Sequence, residues 1–132
     1  MNTFAQICAA LAAVIVIAVS PAEVFLIHRP RVQRFLGIES EGIANVHLWS
    51  FCIGARNALV GVGTLAGLAM VNFGDRAAGT VLVVACLVYL LLSSLFMALA
   101  DALGYWLPRG GSIRGTIASS VLPAAALLAV AV

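Results

Sequence analysis

Apolar residues in this chain gather into four long runs, at about residues 4–27, 46–71, 79–100 and 114–132, separated by shorter polar stretches. Each run reaches the roughly 17–25 residues that a helix needs to cross a hydrocarbon layer. The polar stretches are short, so consecutive spans must run in opposite directions as neighbours. The pattern predicts an all-α fold: an integral membrane antiparallel four-helix bundle, with residues 1–132 forming one transmembrane domain.

Punctuation inside the runs adds detail. Pro21 removes a backbone donor near the end of the first run, which predicts a kink there. Pro123 lies in the last run, where neighbouring helices must satisfy the carbonyl it frees. The stretch from His28 to Asn45 mixes Arg29, Arg31, Arg34, Glu39 and Glu41 with Val32, Phe35, Leu36 and Ile38. That mixture fits a solvated loop with a short amphipathic segment resting on the headgroups. The second run is rich in small residues, and Gly54, Ala58, Gly63 and Gly67 are its candidate helix-packing positions. Gly74, Asp75 and Arg76 supply the turn after it. Pro108 and Gly110-Gly111 break the last polar stretch.

Composition fixes the solvent. The chain of 132 residues is 64% hydrophobic and 9% charged, against about a quarter charged in a soluble domain. The seven basic residues are all arginines and are dispersed, so no basic face for nucleic acid can be assembled. No Lys or Arg precedes Arg29, and the first run is longer than a signal-peptide core, so a retained span is expected. Five arginines (29, 31, 34, 109 and 114) lie in the first and third connections and only Arg76 in the second. The positive-inside tendency then places residues 28–45 and 101–115 in the cytoplasm and both termini outside, in a multi-pass plasma membrane protein.

Candidate chemistry is sparse. Arg56 sits about 15 Å along the second run from Val46, near mid-bilayer on the simplest reading, and must be paired or hydrated. Glu23, about 6–9 Å inside the end of the first run, and Asp101, closing the third, are its candidate partners. With Asn57 these residues form the expected polar cluster, either a structural lock or a pocket for a lipid headgroup, a quinone-like ring or a proton. His28, His47 and Tyr105 are expected at its rim, with Trp49 and Trp106 as further interface rings. Cys8, Cys52 and Cys86 fall one to a run with no ligand spacing, so no metal is expected and they read as small apolar residues. Two histidines near one membrane edge argue only weakly for haem. No resident cofactor and no catalytic set is expected.

Ala22-Glu23-Val24-Phe25-Leu26 ahead of the arginines, Gly54-Ala55-Arg56-Asn57-Ala58 with the later Gly63, and Leu122-Pro123-Ala124-Ala125 carry a resemblance. The chain resembles a bacterial four-span membrane family known as domain of unknown function number 1304. In that family an E-M-F-L segment ends span one and an N-Q-G-x-Y-N-G-x-x-x-x-G pattern marks span two. Here Cys52-Ile53 replaces the Asn-Gln pair and Arg56 replaces the aromatic. The resemblance implies the four-span fold and no established reaction. Three functions remain open: association as an accessory subunit of a larger membrane complex or a homo-oligomer, binding of a lipophilic or anionic ligand around Arg56, and a redox or lipid-enzyme subunit. Membrane lipids are partners in all three.

Overall fold

A computed structural model describes residues 1–38, 43–106 and 109–131, with backbone alone at 44 and 45. Glu39, Glu41 and Pro108 lie outside the described residues. The described chain holds five helices and no strand: α1 Thr3–Val24, α2 Pro30–Leu36, α3 Ile43–Phe73, α4 Arg76–Ala102 and α5 Ile113–Ala131. All but α2 are long and apolar enough to cross a membrane. Each long helix packs on its chain neighbour, and α5 closes back onto α1, giving the antiparallel membrane bundle.

Local chemistry explains most boundaries. Asn2 caps α1, its Oδ1 accepting from the Ala5 amide at 2.8 Å, and Asp75 caps α4 by accepting from Ala77 and Ala78. α1 stays helical through Pro21 and stops at Phe25. The sequence reading carried that span on to residue 27, but residues 25–29 instead form turns that lead into α2. Pro30 opens α2 and Gly37, at φ 69°, ends it in the left-handed conformation. The amphipathic segment anticipated between the first two spans is thus a real helix of seven residues.

Close approach of backbones sets the antiparallel register. A Cβ on Gly54 would lie 2.9 Å from Glu23 Cβ and 3.0 Å from the Ser20 carbonyl, and one on Gly61 would lie 3.0 Å from the Ala13 carbonyl. Gly54 and Gly61, seven residues apart, therefore form the seam to α1. Gly67 and Gly79 meet across α3 and α4, where a Cβ on Gly79 would come within 2.7 Å of the Gly67 carbonyl. Among the expected packing positions, Gly54 and Gly67 make tight backbone contacts. Gly63 meets only the Cys86 sulfur, and a Cβ there would sit 3.2 Å from it. Ala58 is half-buried. Gly79 was not anticipated, because its partner lies on another helix and single-helix spacing carries no trace of it.

The apolar core, built from Cys8, Ala9, Ala12, Leu68, Val83, Leu87 and Ala126, fills the half of the bundle nearest the termini. There Asn2 also donates to the Ala129 carbonyl at 2.7 Å and Asn72 to the Gln6 side chain at 2.9 Å. Toward the opposite, loop-bearing end most buried residues are polar, Ser20, Gln33, Ser50, Ser94, Asp101 and Ser112, with the fully buried Ile27 beside them.

Candidate functional site

The four residues expected to form one polar cluster separate into three places. Glu23 and Asn57 meet: the Asn57 amide donates to Glu23 Oε2 at 3.0 Å, across the α1–α3 seam. About two turns further out on α3, Ser50 Oγ donates to the Glu23 backbone carbonyl at 2.8 Å. Gly54 lies between them on the same face and leaves room for the Glu23 side chain. A carboxylate at this depth is costly unless it is hydrogen-bonded, and one amide with a half-open position reduces that cost.

Asp101 does something different. Its Oδ1 accepts from the Gly110 amide at 2.8 Å, and its Oδ2 accepts from the Ser112 amide at 2.9 Å and hydroxyl at 2.7 Å. The end of α4 thereby ties down the segment that starts α5, and Arg109 adds a Coulombic attraction. A carboxylate with three donors fixes a loop and caps the following helix.

Arg56 contradicts the expectation that an acid of this bundle pairs with it. It is exposed, and its hydrogen bond among the described residues runs from Nε to the carbonyl of Cys52, one turn back on its own helix, at 3.2 Å. Helical geometry gives the reason. With 3.6 residues per turn, Arg56 is rotated about 200° from Gly54 and about 100° from Asn57, the two residues that face α1. Asp101 fails as a partner on depth as well. Gly63 beside Cys86 and Gly67 beside Val83 set Arg56 level with about Ser93 on α4, so Asp101 lies roughly 12 Å further toward the loops.

The depth of Arg56 follows from which helix end marks the membrane edge. α3 has 31 residues and is about 46 Å long, well beyond the about 30 Å of hydrocarbon. Its first residues project past the end of α1, and the Gly54 and Gly61 contacts put Arg56 level with about Pro21, one turn inside that end. The guanidinium is within snorkelling reach of the headgroups. Its helix face is otherwise apolar and open: Trp49 is 64%, Ile53 43% and Leu59 72% exposed.

The expected rim residues also divide. His28 and His47 pack edge to face, ring centroids 4.7 Å apart at 78°, joining the turns between α1 and α2 to the first turns of α3. A haem plane between them would require that pair to part. Gln33 on α2 donates to the Ile27 carbonyl at 3.0 Å and is buried, holding α2 against the same corner. Gly37 faces Trp106, whose ring would lie 3.1 Å from a Cβ at that position, so the first and third connections touch. Tyr105 is 80% exposed and belongs to none of these contacts. Among the described residues no three of His, Cys, Asp or Glu group as metal ligands would.

Sequence reasoning missed Ser94 and Ser119 as a pair: Ser94 Oγ donates to Ser119 Oγ at 2.7 Å, linking α4 and α5. It also missed Ser112 as the cap set by Asp101. The α1-facing side of α3 was legible in the spacing of Gly54, Asn57 and Gly61, at i, i+3 and i+7, and that spacing excludes Arg56.

Compared with known proteins, residues 10–131 match the family model described as Protein of unknown function (DUF1304). No curated protein and no solved structure is matched.

Proposed function

The chain belongs to the DUF1304 family, whose description carries no activity, and from its geometry we propose that it acts by association within the membrane, as an accessory subunit of a larger complex or as a homo-oligomer. The observation that carries this reading is Arg56. A cation on an outward, apolar helix face pairs with no acid among the described residues, and an acid of a partner would supply its counter-charge. Trp49, Ile53 and Leu59 extend that face in both directions and supply apolar contact area around the charge. The alternative of a ligand pocket built around Arg56 loses its cation, because the side chain points away from the bundle interior.

Glu23, Gly54 and Asn57 support the same reading. They are the residues on which the resemblance in the first two spans rests, and they converge on one helix seam. That seam is the lock of the fold. Arg56, one of the positions at which this chain departs from the pattern, faces outward and would carry what is particular to its partner. The arginine bias of the two loops at the Arg56 end supports a cytoplasmic position for that end and an external one for the termini.

The test is the mass of the protein extracted in mild detergent, read by native mass spectrometry. The reading expects assemblies above the single-chain mass, lost in Arg56→Leu and retained in Arg56→Lys. A wild-type protein that is monomeric, or assemblies unchanged in Arg56→Leu, would overturn it.

A further inference from the structure

A groove of about 340 Å³ opens on the outer flank of α4 and α5, at the loop-bearing end. Its size falls at the low end of the about 300–1,000 Å³ typical of ligand sites. Its walls change character along their length. On the membrane side they are Ala98 from α4 and Ile117 from α5, while Arg109, Gly110 and Ser112 stand at the loop side. The gradient follows from topology, since α4 runs toward the loops and α5 away from them.

The polar end keeps a net charge of about +1, Arg109 and Arg114 against the Asp101 carboxylate. Asp101 is buried at 5% exposure and spends its oxygens on Gly110 and Ser112. Arg109 is exposed and makes no hydrogen bond among the described residues. Its guanidinium lies over Gly104 at the end of α4, where a Cβ would come within 3.2 Å of Nη2. Gly104 adopts φ 86°, so one glycine supplies both the left-handed turn and the space for the cation. Arg114, exposed on the first turn of α5, adds a second positive charge at the same level.

We propose that this groove binds one anionic phospholipid, with the phosphate at Arg109 and the start of an acyl chain between Ala98 and Ile117. Charge complementarity selects the headgroup, and the apolar walls face the depth at which a lipid chain runs. Basic pockets beside transmembrane helices hold anionic headgroups by the same combination of charge and apolar contact. Nothing in this inference depends on Arg56, which lies on another helix.

The probe is phosphatidylglycerol, compared with phosphatidylcholine of identical chains, titrated into the detergent-solubilised protein and counted by native mass spectrometry. One phosphatidylglycerol should bind in preference to phosphatidylcholine. Arg109→Ala should weaken it about tenfold, the effect of losing one charge-assisted hydrogen bond, and Arg109→Lys should recover part of the loss. Ile117→Trp fills the groove at an exposed position and should displace the lipid while helix content by circular dichroism stays constant. Equal binding of the two lipids, or phosphatidylglycerol retained undiminished in Arg109→Ala or Ile117→Trp, would overturn the proposal.

Discussion

The two halves of this bundle combine close packing and polar contacts in different proportions. Near the termini, Gly67 meets Gly79 and the interior is filled by alanines, Leu68, Val83 and Leu87. Near the loops, the corresponding positions are serines, Asp101 and the Glu23–Asn57 contact. Lipid is as apolar as leucine, so the first half gains little from burial and relies on close packing. The second half adds to the Gly54 seam a set of buried polar groups that have no comfortable alternative in hydrocarbon. Close packing tolerates no intrusion. Hydrogen bonds between side chains can be exchanged for others, so the polar half is where a partner or a lipid can be accommodated.

Substitutions should rank accordingly. Gly79→Leu should do the most damage, at about 3 kcal/mol or more, because even its Cβ meets backbone atoms of Gly67 and Val71 at 2.7 Å. Its unfolding midpoint in mixed micelles should fall furthest, and a wild-type midpoint would refute the tight-seam account. Leu87→Ala, at a fully buried position of the same half, should cost about 2 kcal/mol, the low end of the range for such cavities in water-soluble cores. In the polar half, Asn57→Leu should cost about 0.6 kcal/mol, the average of measured interhelical hydrogen bonds. A cost matching that of Leu87→Ala would erase the contrast between the halves.

Asp101→Ala should act chiefly locally, because all three of its donors lie in the segment that starts α5. Hydrogen exchange at the Gly110 and Ser112 amides should accelerate as their acceptor is lost, while amides of Val83 and Leu87 keep their protection. Uniform acceleration across all helices would contradict a local role. Arg56→Leu should leave the stability of the isolated bundle unchanged, since among the described residues its side chain bonds its own helix.

The order of spans was plain in the sequence because hydrocarbon imposes one requirement, about 20 apolar residues per crossing, on every helix. The contact between Glu23 and Asn57 was within reach, as both belong to the cluster singled out from polar residues inside apolar runs. The choice of Asn57 over Arg56 as the partner of Glu23 was not drawn from that list. It depends on which face of α3 meets α1, and that is set by Gly54 and Gly61. Depth depends on which helix end marks the membrane edge: counted from Val46, Arg56 lies near mid-bilayer, and counted from the end of α1 it lies one turn inside. The Asp101 contacts with Gly110 and Ser112 were hidden because a charged residue at a span end reads equally as a lock, a cap or a solvated terminus.

The central claim, that the Arg56 face meets another protein, is tested most directly by photo-crosslinking in intact membranes. A photoreactive residue at Leu59, one turn from Arg56, is compared with one at Val81, which is 69% exposed on α4. Leu59 should yield a discrete protein adduct that disappears in the Arg56→Leu background, and Val81 should yield lipid adducts alone. Lipid adducts alone from both positions would contradict the claim.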